Sequence, residues 1–449
     1  MPAFIVKKGH IMALTLIIFS LTVVILILMV MFKPKLYFGN FSIESFWLVA
    51  VIGALFLVIF QQVSPNEIYQ SLTRSTGMNP IKLLIIFISI SGLSVMLDEL
   101  GFFKKVSVLV LKAAGTSQLK IFIYLYMTVS FLTIFTSNDI IILTFTPIII
   151  YFSKHAKINP IPYLLSEFVA ANTWSLMFMI GNPTNIYLAS AFDITFFEYF
   201  KVMFIPTIAA GTFTFLVLWL LFNKDLRKPI DKTILDNVVL DRPVLVWVTL
   251  INLILATTFL TISSYIAIEM YLIALCFLLF NASFMAFYQV LILREYPAYF
   301  LNAVKRMPWN LMPFVISMFI MVISLNKYGV TENIEAMLSN LDSLYGYGLT
   351  SFISANFLNN IPMSVLFADI IQHMPLLPQE ELNRAIYSSI IGSNIGAYLT
   401  PIGALAGMMW MRILKKEEID LSFGKFISYG ALISIPTMLI VLTVLQLFI

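Results

Sequence analysis

The chain holds one cysteine, Cys276, in 449 residues. A disulfide framework is therefore excluded, and so is a metal site built from several thiolates. Charge is scarce as well, with Asp, Glu, Lys and Arg making up 11% of the residues. The net charge of +4 is scattered through loops and forms no basic face for nucleic acid. His10, His155 and His373 are the three histidines, and they form no H-E-x-x-H pattern. No G-x-x-x-x-G-K-[ST] run exists to cradle a phosphate, and no nucleophile stands near a general base in the pattern. These absences argue against an enzyme and against a bound cofactor.

Apolar sequence fills the space that is left. Hydrophobic residues make up 60% of the chain, in long uncharged runs from end to end. A bilayer offers backbone groups no hydrogen-bond partners, so such runs must span it as helices. They are too long and too continuous for barrel strands. The reading is an all-α polytopic membrane protein whose first partner is the lipid bilayer. Ten spans are expected near 11–32, 44–60, 81–97, 161–191, 202–222, 243–263, 266–287, 308–325, 383–411 and 426–448. The first follows Lys7 and Lys8 as a signal peptide would. Its apolar run is too long, however, and no small-residue cleavage site follows, so it reads as a retained helix.

Two further apolar stretches, 119–152 and 345–373, are interrupted by polar tips, Ser137-Asn138-Asp139 and Asn359-Asn360-Ile361-Pro362. Each is expected to be a re-entrant hairpin. Segments 100–113 and 331–340, which precede them, read as short interfacial helices. The polar interval 223–242 divides the chain into residues 1–222 and residues 243–449, each with five spans and one hairpin.

The two parts repeat. Asn138 matches Asn360, Asn172 matches Asn394 and Gly181 matches Gly403, all at an offset of 222. Five crossings is an odd number, so the second repeat must be inverted relative to the first, a plan that puts the site at mid-membrane between broken helices. On that topology only Lys7, Lys8, Arg74, Lys82, Lys201, Lys327 and Arg384 of the 27 Lys and Arg lie on one face. The rule that basic loops stay inside makes the other face cytoplasmic. Both termini are then outside and 223–242 is a cytoplasmic linker in a cell-membrane protein.

The broken segments carry the candidate site. An ionised carboxylate at membrane depth costs about 2.5–3.5 kcal/mol on insertion scales unless it faces a polar cavity. Asp139 therefore reads as a proton- or cation-binding group, with a helix N-cap as its structural alternative. "GNPTN" at 181–185 and "YLTPIG" at 398–403 break the helical ladder and free backbone groups that need partners. The expected substrate- or ion-binding residues are Ser137, Asn138, Asp139, Asn182, Thr184, Asn185, Asn359, Asn360, Ser393, Asn394 and Thr400. A sodium site is expected at Ser137, Asn138 and Asn182 and another at Ser393 and Asn394. Asn356 reads as hydrogen-bond glue between helices. Glu167, Glu269, Asp369 and the Asp98-Glu99 pair read mainly as interfacial or paired. Asn40-Phe41-Ser42 matches the glycosylation sequon.

The tips and breaks resemble the arsenite/antimonite permease family of the ion transporter superfamily. The resemblance rests on "LDELGFF" at 97–103, "SNDIIILTFTPI" at 137–148, "FDITFFEYF" at 192–200, "MPWNLMPFVISM" at 307–318, "NNIP" at 359–362 and "IGSNIGAYLTPIGALAGMMWM" at 391–411. It implies exchange of trivalent arsenic or antimony for protons, alone or with an ATPase subunit, by a frequently dimeric protein with elevator-like movement. Related branches carry dicarboxylates or citrate with sodium, or exchange sodium for protons. The permeases usually show an acid where this chain has Asn394 and a proline where it has Ala397, and "GNPTN" looks more like the sodium-coupled cousins. The leading expectation is arsenite or antimonite efflux by proton antiport. The alternative is sodium-coupled transport of a carboxylate, or sodium/proton antiport.

Overall fold

The computed structural model describes residues 2–33, 35–38, 41–73, 79–228, 230, 239–374 and 378–449. The first half runs α1 (Pro2–Phe32), an antiparallel hairpin of β1 (Lys35–Phe38) and β2 (Phe41–Glu44), α2 (Ser45–Ile59), α3 (Pro65–Leu72), α4 (Pro80–Glu99) and α5 (Phe102–Ala114). It continues with α6 (Gln118–Phe135), α7 (Asn138–Ala156), α8 (Ile161–Trp174), α9 (Pro183–Ala191) and α10 (Phe196–Leu226). The second half runs α11 (Pro243–Thr261), α12 (Met270–Phe287), α13 (Ala298–Arg306), α14 (Leu311–Lys327) and α15 (Val330–Leu338). It closes with α16 (Ser343–Leu358), α17 (Asn360–Gln372), α18 (Gln379–Gly396), α19 (Leu405–Lys416) and α20 (Phe423–Leu445).

Nine of the described helical segments are long and apolar enough to cross a membrane; seven coincide with expected spans, and the other two, Gln118–Phe135 and Asn138–Ala156, are the two arms of the first expected hairpin, each long enough by itself to cross. The expected spans fall on α1, α2, α4, α8–α9, α10, α11, α12, α14, α18–α19 and α20, and the expected hairpins on α6–α7 and α16–α17. The short segments ahead of the hairpins are α5 and α15. Each opens on a glycine in the left-handed region, Gly101 at φ 78° and Gly329 at φ 76°, a conformation that ends α4 or α14 and that glycine adopts without a Cβ penalty.

Three elements were not expected from the sequence. The β1–β2 hairpin pairs Lys35 with Glu44. Helix α3 opens with a reciprocal cap, in which Ser64 accepts from the Glu67 N–H and the Glu67 carboxylate accepts from the Ser64 N–H. Helix α13, amphipathic and ending in Lys305 and Arg306, lies ahead of α14. Helix α10 also starts at Phe196, earlier than expected, because Thr195 and Glu198 cap it in the same reciprocal way. Asn40 of the sequon, Arg74 and linker residues 229 and 231–238 lie outside the described residues.

Packing follows burial. The most apolar 18-residue window of α4 is 83% buried within the protein, against 28% for α1. Helix α4 is thus a core helix, and α1 keeps most of its surface for lipid. The return arm α7 packs against α19, and the return arm α17 packs against α9. Each hairpin therefore rests on the broken helix of the other half.

Helices α16 and α18 pack with their backbones in close approach at Gly392. A Cβ at Gly392 would sit 2.6 Å from the Gly348 carbonyl oxygen and 2.7 Å from the Phe352 nitrogen. Backbone cannot yield as a side chain can, so overpacking here should reach or exceed about 1–3 kcal/mol. Gly392→Ala is expected to lower the thermal midpoint of the detergent-solubilised protein clearly. An unchanged midpoint would show that α16 and α18 are not held this tightly.

Candidate functional site

The first hairpin turns over two extended residues. Thr136 ends α6, and Ser137 takes the N-cap position of α7, with no side-chain cap bond. Asn138 then opens α7 inside the protein, 1% exposed, and its Nδ2 donates to Asn172 Oδ1 at 3.1 Å. Asn172 lies on α8, the first segment of the broken helix.

The break after α8 is stabilised by its own side chains. Asn182 is extended and caps α9, its Oδ1 accepting from the Thr184 N–H and Oγ1, both at 3.2 Å. Pro183 occupies the first helical position, where its missing donor costs nothing. Asn185 Nδ2 donates to the Ser175 carbonyl at 2.8 Å. Gly181 and Gly403 both sit against backbone, where a Cβ would lie 2.5 Å from Ser175 O and 2.7 Å from Gly396 O respectively.

Asn394, on α18 of the other half, joins this group. Its Oδ1 accepts from Asn182 Nδ2 at 2.9 Å and from Ser175 Oγ at 3.0 Å. Its Nδ2 donates to Asn185 Oδ1 at 2.6 Å and to the Ile390 carbonyl at 2.9 Å. Ser175 Oγ also reaches the Asn172 carbonyl at 2.8 Å. A continuous chain of amides and hydroxyls thus runs from Asn138 through Asn172, Ser175 and Asn394 to Asn182, Asn185 and Thr184. Asn172, Ser175, Thr184, Asn185 and Asn394 are fully buried.

The second hairpin tip is wired differently. Asn359 adopts φ 73° and donates from Nδ2 to the Ile402 carbonyl at 3.1 Å, while the Asn360 N–H donates to the Gly403 carbonyl at 3.0 Å. Asn356 Oδ1 accepts from the Thr400 N–H at 3.0 Å and from Thr400 Oγ1 at 2.8 Å. This tip is therefore sewn to the 400–403 break of its own half. Ser393 Oγ and Asn138 Oδ1 are buried without a hydrogen-bond partner among the described residues.

Asp139 points elsewhere. It lies in the first turn of α7 but is not the cap, because Ser137 occupies that position. It lines a cavity of about 280 Å³ between α4, α7, α13 and α19, together with Ser137, Glu44, Lys305, Arg306 and Arg412. Three basic side chains thus share the space with this carboxylate.

A family model described as citrate transporter matches residues 27–392. The chain belongs to the citrate transporter family. It is also similar to the arsenical pump membrane protein of Escherichia coli strain K12, 25% identical over 448 residues covering 96% of this chain and 97% of that one. The arsenical pump membrane protein of Yersinia enterocolitica is 26% identical over 380 residues, covering 80% of this chain and 85% of that one. The crystal structure of the Alcanivorax borkumensis YdaH transporter, described as having an unusual topology, shares the fold with a TM-score of 0.59 at 11% identity, covering 98% of each chain. The chain is an integral membrane transporter of the ion transporter superfamily.

Within this citrate transporter family member, the other acids expected to be interfacial or paired, Glu167, Asp98, Glu99, Glu269 and Asp369, have partners. Glu167 is fully buried and accepts from Thr146 Oγ1 at 3.0 Å on both oxygens. Asp98 accepts from Thr144 Oγ1 at 2.9 Å, and Arg306 bridges Asp98 and Glu99. Glu269 pairs with Lys82. Asp369 accepts from Asn326 Nδ2 at 2.7 and 2.8 Å. Residue-type reasoning did not single out Ser175, although it sits one helical turn beyond Asn172. It also missed Tyr187 and Asn326, whose surroundings are set by helices distant in sequence.

Proposed function

We propose that this transporter exports a small neutral oxyacid, hydrated arsenite or antimonite, in exchange for protons. The observation that carries the reading is the composition of the network at the breaks. It contains amides and hydroxyls alone and no fixed charge, with Asn138 Oδ1 and Ser393 Oγ left over from the bonds made within it. A neutral trihydroxide matches such a surface, whereas a multiply charged carboxylate would need compensating cations at that depth. Thiol chelation is not the mode, since Cys276 is single and exposed. The arsenical pump relatives support the substrate class. Asp139 is the carboxylate we assign to the exchanged proton, and no ATPase subunit is required. We further propose that residues 1–222 and 243–449 are inverted repeats, which the exchanged packing of α7 on α19 and α17 on α9 supports. The termini are then outside and 223–242 cytoplasmic.

The test is transport in everted membrane vesicles with proton and sodium gradients imposed separately. An imposed pH gradient should drive arsenite accumulation, and a sodium gradient should not. Expression in a sensitive host should lower cellular arsenite.

A second reading is sodium-coupled transport of a carboxylate such as citrate. It is favoured by the unpartnered Asn138 Oδ1 and Ser393 Oγ, oxygens of the kind that hold sodium beside unwound helices. Ser137, Asn138 and Asn182, and Ser393 and Asn394, would hold the ions, and Lys305, Arg306 and Arg412 would draw the anion. Sodium-driven citrate or succinate uptake without arsenite transport would favour it.

A further inference from the structure

A second cavity occupies the counterpart of the place held by the first. It has a volume of about 470 Å³ and lies between α3, α9, α14 and α17. Each cavity is bounded by one hairpin's return arm, by the spanning helix ahead of that hairpin and by the second segment of the other half's broken helix. Their charges differ. The cavity at Asp139 has Lys305 and Arg412 against Glu44 and Asp139, with Arg306 engaged by Asp98 and Glu99. The second has Glu67, Asp193 and Asp369 against Lys327.

Three features single out Asp369 within the second cavity. Lys327 is engaged by Glu67 at 2.9 Å, and its hydrogen bond holds that carboxyl below its ordinary range, so Glu67 stays ionised and paired. Asp193 is exposed, while Asp369 is 8% exposed, with Asn326 Nδ2 donating to both of its oxygens. Tyr187 lines the same cavity, is 5% exposed, and its hydroxyl is buried without a hydrogen-bond partner among the described residues. A buried hydroxyl without a partner is uncommon, and this one marks the wall of the cavity shared with Asp369 as polar. The chain also places a carboxylate–polar contact at the same junction in both halves. Asp98 of α4 meets Thr144 of α7, and Asn326 of α14 meets Asp369 of α17. In the second half the carboxylate lies on the hairpin arm.

We propose that the acidic cavity is a proton port and that Asp369 is a second coupling carboxylate, serving the hairpin arm that lacks an acid at its tip. This rests on the proton-antiport reading. Asp369 takes one proton from the cavity water and later returns it, and no other covalent bond is made or broken. Glu67, Lys327, Tyr187 and Asp193 face it across the cavity. His373 lies one turn on, with Nδ1 at 4.0 Å, and Glu335 of α15 faces that histidine.

The test uses the full-length protein in proteoliposomes. Asp369→Asn should lose at least tenfold in pH-gradient-driven arsenite transport and flatten its pH profile, while arsenite counterflow persists and shows the variant to be folded. Asp369→Glu should restore part of the pH dependence. In a Cys276→Ser background, Ser71→Cys should react about tenfold faster with a cationic than with an anionic methanethiosulfonate, and Asp369→Asn should narrow that preference. A proton-driven wild type with an unaltered Asp369→Asn variant, or equal labelling rates, would overturn this inference alone. A wild type indifferent to the pH gradient, or driven by sodium, would overturn the antiport reading and this inference with it.

Discussion

Asp139→Asn should insert and fold normally yet lose at least tenfold in gradient-driven transport, with substrate-for-substrate exchange largely retained. The substitution keeps side-chain size and removes the charge, so it fixes the site in the equivalent of its protonated form. Exchange needs only one protonation state, whereas net antiport needs both. The structural cost should be small. Asp139 sits in the first turn of α7, where the helix end favours a negative group by about 0.3–1 kcal/mol. Because Ser137 holds the cap position, Asp139→Ala should be no worse folded than Asp139→Asn, which a shared thermal midpoint would show. The measurement is paired: arsenite accumulation under an imposed pH gradient, and arsenite counterflow without one. Wild-type accumulation in Asp139→Asn would reduce the carboxylate to a helix-end charge and move the search for the coupling group to Glu167 and Asp369.

The residues behind this prediction are legible in the amino-acid sequence. Asp139 stands out because a carboxylate in an apolar run is costly, and the helix breaks at 181–185 and 398–403 stand out because proline and glycine interrupt the ladder. The spans are legible for the same reason: lipid allows few alternatives to a helix. Pairing between distant segments lies out of reach. The sequence places Asn138 opposite Asn360 in the repeat, but only packing shows that Asn138 bonds to Asn172 while the Asn360 backbone bonds to Gly403. The repeat predicts like positions and not like partners. Asp139 also shows how a local rule can mislead. Asp is a good N-cap, but the cap of α7 falls two residues earlier than that reading needs, and the carboxylate is left facing the cavity with Lys305, Arg306 and Arg412. The small elements α3 and α13, of 8 and 9 residues, are too short to register as membrane segments by themselves, although the Ser64–Glu67 cap is present in the sequence as S-P-N-E.

Asn394→Ala is expected to be the most damaging single change in the network, and Asn172→Ala, at the position matched to it in the sequence, should be milder. Asn394 is the residue through which α18 grips the broken helix of the first half. Removing its amide takes the acceptor from Asn182 Nδ2 and the donor from Asn185 Oδ1. Both groups are buried, and each loss costs about 1–3 kcal/mol when no water can replace the partner. Ser175 is spared, because its hydroxyl can still donate to the Asn172 carbonyl. Asn172 Oδ1 holds only Asn138 Nδ2, at 3.1 Å and within one half, so its loss orphans a single donor. The expected result is a larger fall in the thermal midpoint of the solubilised protein for Asn394→Ala than for Asn172→Ala. Transport should be abolished in the first and reduced in the second. The contrast matters more than either value: it asks whether the contact between halves holds the break in place. Equal midpoints would mean that the break of the first half is held by Asn182 and Asn185 acting within their own segment, and that α18 merely packs against it.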